Sequence, residues 1–147
     1  MKREEAERKI VNELIENSRQ SFRQLAKKTG MSAVTVMNRV RELEKKGVVK
    51  GYSALVDYEK LGYDFLAVIF VKVIKGQFRQ AAEKIASHRN VSAVYDLTGE
   101  TDSLVLARFQ SRRALDEFLK KIQSYDFIER TTTALVLSTL KEEIMRI

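Results

Sequence analysis

Apolar residues at positions 6, 10 and 14, flanked by a pair at 11 and 15, predict an amphipathic helix over AERKIVNELIENS. A second helix is predicted from Ser21, where Gln24 three residues on completes a capping box, with Phe22, Leu25 and Ala26 inward. It ends at Gly30, the residue type that tolerates the left-handed turn after a helix. Ser32 offers a side-chain oxygen to cap a third helix. Residues 21–46 thus read as helix, a three-residue turn and helix. On the third helix Val36, Val40 and Leu43 share one face and form its buried side. Val34, Thr35, Asn38, Arg41, Glu42 and Lys45 lie opposite. The next segment, VVKGYSALVD, is rich in β-branched and aromatic residues and predicts a short strand pair, or a strand leaving the helical unit as a wing.

From Asp64 the period changes to two. DFLAVIFVKVIK reads as a strand and QFRQAAEKIASH as a helix with Phe78, Ala82 and Ile85 aligned. VSAVYDL and SLVLARF are strands joined by TGETD. SRRALDEFLKKIQS is a helix capped by Ser111, and TTTALVLSTL is the last strand. The fold class is therefore α+β: an N-terminal helix-turn-helix, winged-helix-like domain, then a C-terminal ferredoxin-like βαββαβ domain. The expected boundaries are 1–50 for the first domain, 51–63 for a linker strand or hinge, and 64–147 for the second.

The strand pattern poses a problem of coverage. Phe65, Ala67, Ile69, Val71 and Val73 lie on one face of the first strand, and Leu66, Val68, Phe70 and Ile74 lie on the other. In the third strand Val105, Ala107 and Phe109 oppose Leu104 and Leu106. Two helices cover one face of such a sheet, so the other face is expected to pack on a second copy, giving a homodimer or a larger assembly.

Charge sharpens the reading of the first half. Arg19 to Tyr52 holds nine basic residues against Glu42 and Glu44, an excess equal to the +7 of the whole chain. Such a concentration suits a polyanion. On the exposed side of the third helix, Asn38 is able to bond adenine, Arg41 guanine or phosphate, and the methyl groups of Val34 and Thr35 a thymine methyl. A recognition helix inserts its N-terminal part into the major groove, where these residues lie. Lys45, and Lys50 with Tyr52 in a wing, are expected to reach the phosphate backbone beside the groove. A dimer of such units suits a palindromic site on double-stranded DNA.

The loop TGETDS gathers Thr98, Gly99, Thr101, Asp102 and Ser103, and Thr131, Thr132 and Thr133 open the last strand. It reads either as an ordinary hairpin turn or as a small-ligand pocket. In the second case Gly99 exposes backbone N–H groups to a carboxylate and Asp102 attracts an ammonium, the two charged ends of a free amino acid.

Several classes fall away. The chain has no cysteine, which removes disulfides, thiolate metal sites and a cysteine nucleophile, and fits a cytoplasmic life. The opening MKREEAERKI lacks the apolar stretch of a signal peptide, and the longest apolar run, Phe65 to Val71, is too short to span a bilayer. His88 is the sole histidine, expected at a helix end in a capping or surface role. With no Cys/His cluster or phosphate-cradling loop, the chain reads as neither enzyme nor cofactor protein.

LAKKTGMSAVTVMNRVRELEKKGVVKGYSALVD, the KLGY that follows and LTGETD together resemble the Lrp/AsnC family of feast/famine transcription regulators, over nearly the whole chain. The resemblance implies an N-terminal helix-turn-helix, a linker strand, and a ferredoxin-like domain that dimerises through facing sheets and often builds octamers or similar rings. It further implies an amino-acid effector bound near the "TG..D" loop where dimers meet. By position Arg39 matches a phosphate contact, Ser32, Thr35 and Asn38 match DNA-facing positions, and Gly99 and Asp102 match the effector loop. Two departures stand out: Ser103 replaces the aromatic residue that often follows the loop aspartate, which leaves the effector's identity open, and Glu7 replaces an aspartate. An architectural DNA-wrapping protein with little sequence preference and no effector is the competing expectation; a ratio of specific to non-specific affinity separates the two.

Overall fold

The structure, a computed structural model, describes residues 2–147. The chain divides into two compact units, residues 1–55 with 141–147, and residues 56–140.

The first unit is built on three helices, α1 (Arg3–Glu16), α2 (Phe22–Thr29) and α3 (Ala33–Lys45). Their core is Ile10, Leu25, Val36, Val40 and Leu43, each nearly or wholly buried, with Val11, Leu14, Ala26, Met31 and Val49 packed around it. The face predicted for α3 is the face buried. Phe22, expected inward, is 40% exposed. It stands directly after the N-cap, where the helix has just begun, and Thr29 takes the interior place instead, its hydroxyl donating to the Leu25 carbonyl at 2.7 Å.

The linker strand expected over residues 51–63 does not form. Residues 51–57 form neither helix nor strand and are exposed throughout. β-Branched and aromatic side chains favour a strand only where another strand takes up the backbone groups, and among the described residues no ladder includes 51–57. A single 3-10 turn, Glu59–Leu61, follows and closes on Gly62 at φ +78°, with Tyr58 and Tyr63 in edge-to-face contact at 6.2 Å. Residues 141–147, expected with the second domain, belong to the first unit, because Asn12 and Glu16 of α1 hold them by hydrogen bonds.

The second unit runs β1 (Phe65–Val73), α4 (Phe78–Ala86), β2 (Val91–Asp96), β3 (Ser103–Phe109), α5 (Arg112–Gln123) and β4 (Ile128–Leu135). The sheet is antiparallel in the order β2-β3-β1-β4, as the ferredoxin-like reading requires. Alternation places Ala67, Ile69, Val71 and Val73 of β1 and Val105, Ala107 and Phe109 of β3 against Ile85, Leu115, Phe118 and Ile122 of the two helices. Ala81 rather than Ala82 fills the α4 side of that core. Leu66, Val68, Phe70, Leu104 and Leu106 lie on the other face and are half-buried. The last strand ends at Leu135, not at residue 140. Val136 N–H still bonds the Leu66 carbonyl at 2.9 Å, but β1 begins at Phe65, so the chain beyond has no neighbour to pair with. Among the described residues no helix is long and apolar enough to cross a membrane.

Candidate nucleic-acid interface and effector loop

The presentation of α3 is set by its two ends. Ser21 and Gln24 form the reciprocal capping box that starts α2: Gln24 N–H donates to Ser21 Oγ at 3.3 Å and Ser21 N–H to Gln24 Oε1 at 2.7 Å. Gly30 takes φ +72°, which lets the chain turn into Ser32. Ser32 Oγ accepts the Thr35 N–H at 3.1 Å and pairs with the Thr35 hydroxyl at 2.8 Å. The sequence assigned Ser32 and Thr35 to DNA contact. Their hydroxyls are joined to each other at the helix start, where they hold the first turn of α3; Ser32 is exposed there and Thr35 half-buried.

The outer side of α3 is open. Val34 is 63% exposed, an apolar residue held in water at the helix's N-terminal end, and Asn38, Arg41 and Lys45 are exposed beside it. Arg39 is half-buried and helps to hold the Glu7 carboxyl below its usual range, behind the larger effect of the Arg3 hydrogen bond. Both acids of α3 have partners. Arg3 Nη2 donates to Glu42 Oε2 at 2.9 Å, and the Tyr52 hydroxyl donates to Glu44 Oε1 at 2.8 Å. Burial, then the Glu44 carboxylate, pushes the Tyr52 phenol up to about 12, so it stays a proton donor at neutral pH. Tyr52 therefore folds back on α3 rather than reaching outward as a wing, while Lys50 is exposed. The result is a helix face of one valine, one amide and cations, with its carboxylates tied aside.

At the other candidate site, the loop from β2 to β3 is fastened to β1. Asp102 N–H donates to the Val71 carbonyl at 2.9 Å, and Asp102 Oδ2 accepts the Val73 N–H at 2.8 Å. Leu97 N–H closes the hairpin on the Asp102 carbonyl at 2.9 Å. Gly99 sits at the exposed tip with φ +116°, between exposed Thr98 and Glu100, and Arg130 approaches Glu100 at 3.7 Å. Thr101 is half-buried.

Ser103 corrects the expectation that it contacts an effector: it is 1% exposed and lies opposite Val71 on the helix-covered face. Register puts Thr131 opposite Val71 and Thr133 opposite Ile69, on that same covered side, and Gln123 of α5 donates to Thr131 Oγ1 at 2.8 Å. The structure thus gathers Thr98, Gly99, Thr101 and Asp102 in one loop and sets Ser103, Thr131 and Thr133 under the helices. His88 stands just past the C-cap of α4, the helix end where it was expected, and is half-buried. Its Nε2 lies 3.0 Å from the Tyr125 hydroxyl and its ring meets Phe118 edge-on at 5.2 Å. The signal missed was the aromatic pair Phe118 and Tyr125, spaced to close over the end of α4.

Comparison with known proteins accords with the two-domain reading. The Lrp/AsnC ligand binding domain family model matches residues 66–145, and a winged helix-turn-helix DNA-binding model matches residues 3–50. An HTH-type transcriptional regulator of Pyrococcus furiosus, itself uncharacterized, is 40% identical over 143 residues, 97% of each chain. Among solved structures, a transcriptional regulator of Neisseria meningitidis in complex with L-Met superposes with a TM-score of 0.89 at 27% identity, covering 97% of this chain and 94% of that one. E. coli AsnC does so with a TM-score of 0.88 at 28% identity, covering 97% of each chain. With a regulator's helix-turn-helix in the first unit and the family's ligand-binding fold in the second, the chain belongs to the Lrp/AsnC family of transcription regulators, a family of non-enzymatic proteins.

Proposed function

We propose that this regulator binds double-stranded DNA sequence-specifically, and that an amino-acid effector bound at the loop between β2 and β3 modulates it. The observation that carries the reading is the outer face of α3, where an exposed valine and asparagine precede Arg41 and Lys45 while both glutamates are held aside. Asn38 and Val34 read base edges in the major groove, and Arg41, Lys45 and Lys50 contact phosphates or guanine, with Arg39 contributing charge from a half-buried position. Two copies joined through the sheet face of Leu66, Val68, Phe70, Leu104 and Leu106 present two such helices to a palindromic operator, and dimers assemble further into an octamer or another ring. The effector is a free amino acid with its carboxylate at the backbone N–H groups around Gly99 and its ammonium near Asp102. The L-Met complex of the Neisseria relative supports that chemistry. Among the named residues Thr98, Gly99, Thr101 and Asp102 are placed to meet it, and Ser103, Thr131 and Thr133 support the strand ends from the covered side. No cofactor is required, and the site of action is the cytoplasm.

The test is DNA affinity for selected genomic fragments against random DNA, at two salt concentrations, with and without a pool of amino acids that includes methionine. A specificity ratio above about 10³ that shifts with the pool is the expected outcome. A small ratio with steep salt dependence and no response to the pool identifies an architectural DNA-wrapping protein instead.

A further inference from the structure

The last seven residues return to the helical unit. Asn12, one turn before the end of α1, uses both ends of its amide on one residue: Nδ2 donates to the Ile147 carbonyl at 2.6 Å and Oδ1 accepts the Ile147 N–H at 2.9 Å. One turn further along the same helix, Arg146 Nη2 donates to Glu16 Oε2 at 2.6 Å. Ile147 lines a small open cavity together with Val11, Leu43 and Val48, and Ile144 lines a larger one with Leu14 and Ile15. A side-chain amide bonded to both polar groups of one residue imitates a strand pair and fixes its register, which a purely apolar contact does not.

Two features say what this contact does. The chain crosses between the two units at residues 55–56 and again at 140–141, so the docked tail adds a second tether to the single linker. That tether starts from the sheet itself, where Val136 N–H bonds the Leu66 carbonyl, only eight residues before Ile144. The attachment is also shallow: Ile144 and Ile147 stay more than half exposed and Met145 is 78% exposed, so little apolar area is lost when it opens. None of Asn12, Glu16 or the apolar residues that line those cavities belongs to the exposed side of α3, so docking leaves the DNA-reading residues uncovered.

We propose that residues 141–147 are a releasable strap which, clasped on Asn12 and Glu16 of α1, restrains the DNA-binding unit and raises its affinity for DNA. The physical basis is the ordering cost of binding: a unit held by two tethers has less orientational freedom to lose than one held by a single linker. This inference rests on the DNA-binding reading above, and its test separates the two.

Two variants make the test. Asn12→Leu/Glu16→Lys removes the clasp. Asn12→Cys/Ile147→Cys puts one thiol on each side of the clasp in a chain with no native cysteine, and oxidation to an intramolecular disulfide, verified by non-reducing mass spectrometry, locks the strap. Tryptic cleavage after Lys141 and affinity for DNA are measured for each. The expected result is cleavage and DNA dissociation constants both higher by about fivefold or more in the clasp-free variant, with oxidation of the cysteine pair restoring at least the parent affinity. Equal cleavage in parent and clasp-free proteins overturns the docking, and a disulfide that joins two chains overturns its intramolecular form. Faster cleavage with unchanged DNA affinity, or a locked form that binds DNA more weakly than the clasp-free one, overturns the coupling. If the parent fails to bind DNA at all, the DNA-binding reading fails, while the cleavage comparison still decides whether the strap docks.

Discussion

The carboxylate of Asp102 accepts the backbone N–H of Val73 at 2.8 Å, so the aspartate of the candidate effector loop also stitches that loop to β1. One of its oxygens is committed to the fold, and the Val73 N–H lies where the β1–β4 ladder shifts register. A substitution that removes the carboxylate therefore strips a donor at a break in the sheet of its partner.

Asp102→Ala is expected to destabilise the protein by about 1–3 kcal/mol, the cost of leaving a part-buried N–H unmet. Asp102→Asn, which keeps an acceptor in place, is expected to recover most of that. Urea unfolding midpoints measure both. A midpoint for the alanine variant equal to the parent's would show that the bond does no structural service. A midpoint recovered by asparagine, joined to a lost amino-acid response, would show that the charge serves the ligand.

Asn38→Ala and Lys45→Ala are expected to act differently on DNA. The first loses about 1–3 kcal/mol at one base-pair position and relaxes preference there, and the second weakens every sequence alike and lowers the salt slope by about 1. Binding isotherms on a panel of single-base variants at several salt concentrations distinguish them. Matching losses of specificity would refute the division of roles.

Tyr52→Phe tests the idea that α3 keeps its acids aside. Without the hydroxyl the Glu44 carboxylate loses its partner and turns free beside Arg41 and Lys45. Weaker binding to all DNA sequences is expected, with the deficit shrinking as salt rises and screens the added repulsion. A deficit independent of salt would point to a packing effect instead.

Burial, then the charges of Lys121 and Lys84, holds the His88 imidazole below its ordinary pKa. A histidine depressed in the folded state is neutral there while the unfolded chain still takes up a proton. Its contribution to stability is present above the unfolded value of about 6.5 and is lost as pH falls from there toward the lower folded value. Unfolding midpoints at pH 7.5 and 5.5 are expected to fall more for the parent than for His88→Gln. The same fall in both proteins would assign the acid sensitivity to other groups.

Much of this protein is legible in its order of residues. The cap residues Ser21, Ser32 and Ser111, the glycine at position 30 and the apolar stripes act over one turn of chain, so α2, α3, α5 and the buried face of α3 follow from local chemistry. Strand alternation likewise assigned the inner face of β1 and β3 correctly, because a period of two is a property of the strand itself. Where a strand stops is another matter. β4 ends where β1 has no more residues to offer, and residues 51–57 form no strand because none of the described residues pairs with them. The same holds for the sites. Side-chain types raised the expectation that Asn38 and Arg41 face DNA and that the TGETD loop meets a ligand. Only register put Ser103 and Thr131 under the helices, only proximity joined Asp102 to Val73, and only the returning tail brought Ile147 to Asn12 across 135 positions. Such long-range pairings are set by packing of the whole chain, which no local pattern of residues encodes.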